Sequence, residues 1–165
     1  MSNANSDLVT NFVAVPQVLN PAQQLQGVKR VASGTIALAV ADLGANDTVM
    51  LAPIPSNASI TSIKIFNDDL DSGTTNTADV GIYKQDLSVV DADAYASAIT
   101  TLRSANTTGV EVAFEARDIN KMGQKVWQDA GLSSDPALTY FVGIGFPAAG
   151  DTAGDLSFVI EYTVS

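Results

Sequence analysis

The sequence has 165 residues, which suffices for one domain of ordinary size, and it contains neither cysteine nor histidine. This composition excludes disulfides, thiol nucleophiles, Cys/His zinc sites and every catalytic triad with a histidine base. The formal net charge is −10, from 18 acidic and 8 basic residues, and no basic stripe is present. We therefore expect neither a nucleic acid nor an anionic membrane as a partner.

The first 28 residues differ from the rest, because they are rich in Asn and Gln and contain Pro16 and Pro21. Two prolines disfavour both a regular helix and a central strand, so we expect an extended arm over residues 1–28 before a β-sandwich domain over residues 29–165. One apolar patch in the arm is the candidate contact with another subunit or the capsid, or with its own domain. The patch consists of Leu8, Val9, Phe12, Val13 and Val15.

Apolar and polar residues alternate from residue 29 onward, which is the period of a half-buried strand. The alternation is clearest in residues 140–146 and 156–164. Shorter stretches bring the total to about seven predicted strands: 36–40, 48–51, 60–66, 78–83 and 110–114. No apolar run is long enough to cross a bilayer, and the first residues do not have the pattern of a signal peptide, so we expect neither.

Two short helical patterns interrupt the strands. Tyr95, Ala98, Ile99 and Leu102 have helical spacing. A second pattern over residues 125–130 carries Trp127, which we expect to be mostly buried, and stops at Gly131. The sequence therefore predicts an all-β fold: an antiparallel, jelly-roll-like β-sandwich with one or two short helices and an extended N-terminal arm.

Acidic residues provide the few candidates for chemistry. Asp68, Asp69 and Asp71 lie close together, and an Asp-rich turn whose carboxylates accept backbone N–H groups is favoured over the alternative of a calcium site. Glu111 and Glu115 would lie about 13 Å apart on one strand, too far for a glycosidase pair. We expect no catalytic residue, metal ligand or cofactor.

Gly143 and Gly145 are expected to admit a bulky neighbour, such as Trp127 or the backbone of another subunit.

Three stretches carry a resemblance to a known family: ANDTVMLAPIPSNASITSIKIFNDDLDSGTTNTADVGIY, GQKVWQDAGLSSDP and TYFVGIGFPAAGDTAGDLSFVIEYTV. Their pattern is a polar turn, a Pro-containing loop, an apolar strand, an Asp-rich turn, a D-V-G strand, a Trp before Gly-Leu, and a closing Ala-Gly hairpin. Over residues 46–85 and 123–164 the chain resembles the capsid decoration, or cement and head-stabilisation, proteins of tailed bacteriophages.

The resemblance implies a non-enzymatic virion structural protein that binds the outer surface of a capsid and stabilises contacts between major capsid subunits. The major capsid protein is then the expected partner, and a homo-oligomer is expected, with a trimer favoured. The acidic charge also predicts the capsid exterior, because an inner surface faces packaged DNA. Absence of cysteine fits assembly in the host cytoplasm. The alternatives are a tail or fibre component of the virion, or a carbohydrate-binding β-sandwich.

Overall fold

The structure is a computed structural model and describes residues 4–25 and 27–164. Eight strands build the body of the protein. They are β1 (Lys29–Leu38), β2 (Thr48–Pro55), β3 (Ala58–Asn67), β4 (Thr77–Tyr83), β5 (Val89–Ile99), β6 (Asn106–Glu111), β7 (Thr139–Ala148) and β8 (Gly154–Val164). Short α-helices occur at α1 (Asp7–Val13), α2 (Ala22–Leu25) and α3 (Val126–Asp129), and 3-10 helices at Val40–Asp42, Thr101–Arg103 and Ile119–Lys121. No helix in the described residues could span a membrane.

The strands form two antiparallel four-stranded sheets that pack face to face. One sheet has the order β1-β8-β3-β6 and the other has the order β2-β7-β4-β5. Consecutive strands such as β1 and β2 therefore lie in different sheets, which is the connectivity of an eight-stranded jelly roll. The predicted all-β sandwich with jelly-roll topology is confirmed.

The core lies between the sheets and follows the alternation in the sequence. In β7 the predicted inward face is buried throughout, and in β8 Leu156, Phe158 and Ile160 are buried. Tyr162 and Val164 are partly buried and pack against the same core. Isoleucines dominate the buried positions of both sheets, and their branched side chains suit the pleated surface. The buried isoleucines are Ile54, Ile60, Ile63, Ile65, Ile82, Ile99, Ile144 and Ile160.

The helix predicted around residues 95–102 is wrong. Residues up to Ile99 belong to β5, and a 3-10 helix follows over Thr101–Arg103. The pairing of β5 with β4 changes register three times, and Ala98 has a left-handed φ of 51°. These bulges break the strict alternation of side chains, so the apolar residues of this strand acquired a spacing that imitates a helix.

The arm is not fully extended as predicted, because α1 covers most of its apolar patch. Pro16 and Pro21 both lie outside α1 and α2. A proline restricts its own residue and the one before it, and it leaves a preceding helix intact. Within the arm, residues 1–3 and Gln26 lie outside the described part of the chain.

Two local expectations also differ from the structure, and two hold. Val40 is exposed in a 3-10 helix, and β6 ends at Glu111, before the buried Val112. The short helix before Gly131 is confirmed, with Gly131 at a φ of 73°. Trp127 is largely shielded from solvent, including its indole nitrogen, and its neighbour Val126 is fully buried in the core.

Gly143 and Gly145 make room for a bulky neighbour, as expected, but that neighbour is Tyr83 on the adjacent strand. A Cβ atom at Gly143 would lie 3.0 Å from the Tyr83 ring, and one at Gly145 would lie 3.0 Å from its hydroxyl oxygen. The two glycines let a fully buried aromatic residue lie flat along β7.

Gly81→Ala is expected to lower the free energy of unfolding by about 1 to 3 kcal/mol, because β5 bulges against β4 at this point. An added Cβ would lie 2.1 Å from the Asp91 carbonyl oxygen and 2.3 Å from that of Ala92. Both obstacles are backbone atoms, so the strands would have to move apart. Urea unfolding measures the loss. Gly73→Ala, whose Cβ would have ordinary contacts, is the control, and equal stability of the two variants would contradict the prediction.

Candidate subunit-interaction surface

The helix α1 begins where a side chain can cap it. Ser6 is extended and its Oγ accepts a hydrogen bond from the Val9 N–H, while Asp7 places a negative charge in the first turn. The helix ends at Val13, because Ala14 returns to an extended conformation. Seven residues are too few for an independently stable helix, so α1 depends on contacts with the rest of the arm.

Two asparagines supply those contacts by closing the arm into a loop. The Asn11 side-chain amide donates to Asn20 Oδ1 at 2.9 Å, and the Asn20 amide donates to the Leu8 carbonyl oxygen at 2.9 Å. The Val18 N–H donates to the Asn11 carbonyl oxygen. The segment from residue 8 to residue 20 is therefore a compact unit rather than an unstructured tail.

One face of this unit lies against its own sandwich. Leu8 is partly buried, and with Gln24 it lines a shallow groove over Ser59, Thr61 and Thr163 at one end of the β1-β8-β3-β6 sheet. The expectation left open whether the arm would cover its own domain or another subunit. Leu8 faces its own domain.

The other predicted patch residues are exposed. Phe12 is 65% exposed, Val13 is 61% exposed and Val15 is 98% exposed, and Val9 is also exposed. Further exposed apolar side chains follow in the same segment, and Phe12 shares a groove with several of them. We call the whole set the arm apolar surface; it consists of Val9, Phe12, Val13, Val15, Val18, Leu19 and Leu25.

An exposed apolar set of this size is unusual on a soluble monomer, where such surfaces mark contacts with other molecules. Phe12 is the only exposed aromatic residue among those the structure describes, so the described surface holds no cluster of exposed aromatic rings. A sugar-binding site built from several exposed aromatic rings is therefore not formed by these residues.

The acidic turn adopts the favoured arrangement, in which carboxylates accept backbone N–H groups. Asp69 Oδ1 accepts from the Asp71 N–H, and the buried Asp71 carboxylate accepts from the N–H groups of Gly73 and Asn76. Asp68 Oδ2 accepts from the Asp155 N–H across the sheet. In residues 4–25 and 27–164, no three acidic side chains converge in the way a metal site requires.

The carboxylates of Glu111 and Glu115 also accept hydrogen bonds from backbone N–H groups, and they are not paired with each other. Glu111 Oε1 accepts from the N–H groups of Ile63 and Ala113. Glu115 Oε2 accepts from the Ser97 N–H at 2.8 Å. The sequence predicted both residues on one strand, but β6 ends at Glu111, so Glu115 lies outside it.

A buried ion pair was missed by the sequence reasoning. Arg117 Nη2 lies 2.9 Å from Asp129 Oδ2, and the two side chains are 1% and 3% exposed. The Arg117 guanidinium also donates to the carbonyl oxygens of Ile60 and Gln124 and lies over the Phe114 ring. Because these partners belong to β3, α3 and the segment between β6 and α3, the ion pair fixes that segment against the sandwich.

The ion pair lies beside Tyr95, whose hydroxyl donates to Asp129 Oδ2 at 3.5 Å. Burial raises the pKa of the Asp129 carboxyl, and Arg117 opposes that shift. Burial, followed by the Asp129 charge, holds the pKa of Tyr95 well above its ordinary value. All three side chains are buried, and their contacts with one another join β5, α3 and the segment between β6 and α3.

Tyr95→Phe is expected to reduce the loss of stability at alkaline pH. A raised pKa in the folded state gives stability that is fully present below the unfolded-state pKa near 10 and is lost as the pH rises through the folded-state value. The free energy of unfolding should fall less steeply above about pH 10 in the variant, by up to about 1.4 kcal/mol per pH unit. Urea unfolding from about pH 8 to about pH 11.5 measures the slope. If the free energy of unfolding falls equally steeply with pH in both proteins, ionisation of Tyr95 is not linked to unfolding.

Comparison with known proteins shows where this fold occurs. No family model and no curated protein matches the sequence. Three solved chains do match in three dimensions, and two of them have a TM-score above 0.5. A chain in the capsid asymmetric unit of cyanophage Pam1 has a TM-score of 0.55 at 18% identity, with 100% of each chain covered. A chain in the capsid of Ralstonia phage GP4 has a TM-score of 0.60 at 18% identity, with 89% of this chain and 91% of that chain covered. The fold is shared.

Proposed function

We propose that this chain is a non-enzymatic structural protein of a tailed-phage virion, which binds the outer surface of the capsid and stabilises contacts between major capsid subunits. The arm apolar surface carries the proposal, because it presents exposed side chains such as Phe12 and Val15 beside a rigid body. The fold shared with chains in the capsids of phages Pam1 and GP4 supports a place in a virion. The sequence resemblance to decoration proteins agrees with this.

Charge supports the outer position. The net charge of −10 would repel packaged DNA, and Arg117, one of the 8 basic residues, is buried in an ion pair. The surface of the capsid that faces away from DNA is therefore the electrostatically favourable one. The major capsid protein is the proposed partner, and the apolar arm residues are the proposed contacts with it.

We also propose that the protein acts as a homo-oligomer, with a trimer favoured, as the resemblance to decoration proteins implies. Several arms on one oligomer would bind several capsid subunits at once. Such multivalent binding gains affinity through effective concentration without a large contact for each arm. This arrangement fits an arm whose exposed apolar residues lie within one short segment, residues 9–28.

The test is to separate heads from tails of the phage that encodes this chain and to locate the protein with a specific antibody. We expect it on intact heads and accessible to the antibody without disruption of the shell. Addition of purified protein to heads that lack it should restore occupancy and raise the temperature at which the heads release DNA. Protein found on tails alone would favour the tail-component alternative, and protein accessible only in opened heads would overturn the exterior position.

A further inference from the structure

Three of the four sheet edges carry features that block pairing with another strand. The edge strand β2 contains Pro53 and Pro55, which cannot donate a backbone hydrogen bond. The edge strand β5 is bulged and carries Asp91 and Asp93. The edge strand β6 is short and contains Gly109 at a φ of 80°. Natural sheets use such prolines, bulges and charges to prevent edge-to-edge association.

The fourth edge, β1, has none of these features. Its ten residues pair with β8 in one unbroken register from Lys29 to Leu38. No proline interrupts it, and residues 31–38 carry no charge. Within the described chain only β8 pairs with β1, so the backbone groups on its other side face outward. A long, regular, uncharged edge of this kind is a template for another strand.

Charges at the two ends of this edge are of opposite sign. Arg30, at the start of β1, is exposed and has no ion-pair partner among the described residues. Asp42 and Asp47, beyond the end of β1, are exposed and line a groove between the edges of β1 and β2. An antiparallel copy of the same edge would place its Arg30 towards these two carboxylates, and the reverse would hold at the other end.

From this self-complementarity we infer that β1 is a docking edge for a second copy of this chain, whose own β1 adds antiparallel to it across a two-fold axis. Two four-stranded sheets then become one continuous sheet of eight strands. The contact is isologous, since each copy contributes the same strand and the same charges. This β1–β1 contact does not depend on capsid binding. It also allows two oligomers to bind each other, with one β1 edge from each.

The backbone restricts the register of this contact. In a strand, the N–H and C=O groups of every second residue face the same edge. Two residues that lie opposite each other across the axis must therefore both be odd-numbered or both be even-numbered. The axis near the middle of β1 therefore passes through Ser33, Gly34 or Thr35. Ser33 and Thr35 are exposed. Residues directly opposite in such a pair are close enough for a disulfide.

Absence of native cysteine makes a cross-linking test clean. Ser33→Cys alone, Thr35→Cys alone and an equal mixture of the two cover the three registers. Under mild oxidation of purified protein, one of these samples should form a disulfide-linked dimer about tenfold faster than the control, because pairing raises the effective concentration of the thiols. The control is Thr107→Cys, at an exposed position on β6, the opposite edge of the same sheet.

A charge placed on the edge gives the complementary measurement. Ser33→Lys should shift the protein towards the smaller species in sedimentation equilibrium, with an unchanged circular dichroism spectrum, since each copy would bring a lysine charge to the paired edge in all three registers. Thr107→Lys should sediment like the unmodified protein. If no cysteine sample links faster than Thr107→Cys, or if Ser33→Lys and Thr107→Lys sediment alike, the inference is overturned. Both measurements use purified protein, so they leave capsid binding as a separate question.

Discussion

Arg117→Ala is expected to lower the free energy of unfolding by about 3 to 5 kcal/mol, the usual effect of removing one partner from a buried ion pair. Asp129 would lose its counter-charge in a site from which water is largely excluded, so its carboxyl would either stay charged without a partner or take up a proton, and both cost free energy. Two carbonyl oxygens, those of Ile60 and Gln124, would also lose their donor. For a domain of this size the loss is a large part of the total stability.

Chemical denaturation at neutral pH measures this effect, and an exposed ion pair provides the matched control. Lys29 Nζ lies 2.6 Å from Glu161 Oε2, but both side chains are partly solvated. Lys29→Ala should therefore cost no more than about 1 kcal/mol. The double variant Arg117→Met, Asp129→Leu should recover stability relative to Arg117→Ala, because it removes both charges. A double variant no more stable than Arg117→Ala would show that lost packing, and not the stranded charge, causes the effect.

Phe12→Ser combined with Val15→Ser is expected to weaken binding to capsids about a hundredfold while leaving thermal stability unchanged. Both side chains are exposed in the free protein, so the fold does not depend on them. An aromatic residue at the centre of an interface commonly contributes 2 kcal/mol or more, and about 2.8 kcal/mol corresponds to a hundredfold change in affinity. Sedimentation of labelled protein with heads that lack it measures the affinity.

Leu8→Ser is the matched control for this experiment. Leu8 lies in α1 with Phe12 but faces its own sandwich, so this change should lower the melting temperature slightly and leave capsid binding nearly unchanged. Deletion of residues 1–28 should combine both effects and leave the sandwich folded. Normal capsid binding by the Phe12, Val15 variant would remove the arm apolar surface from the proposed contact.

Much of the fold could be predicted because both sheets bury one face, which imposes a period of two on the sequence. The period is plain in β7 and β8, central strands whose ladders have at most one register shift each. It is lost in β5, an edge strand whose bulges shift the register against β4. The alternation indicates a strand where the ladder has few register shifts, and the helix predicted around Tyr95 was wrong because the β4–β5 ladder has three.

The arm and the ion pair show what pattern alone could not provide. The prolines of the arm predict that it has no regular helix, but the Ser6 cap and the hydrogen bond between Asn11 and Asn20 stabilise α1 ahead of them. Arg117 and Asp129 are single charged residues in a segment without regular spacing. Their pairing depends on how that segment folds back over Ile60, and no repeat in the sequence records such a contact.

The ten-pair ladder between β1 and β8 also has a mechanical consequence. The arm joins the sandwich at Lys29, where this ladder begins. A pull on the arm along the direction of β1 loads the hydrogen bonds of the ladder in shear, so that many must break together. A pull across the sheet would instead peel them apart one pair at a time. A protein held by its arm therefore resists stretching forces best when β1 lies parallel to the direction of tension.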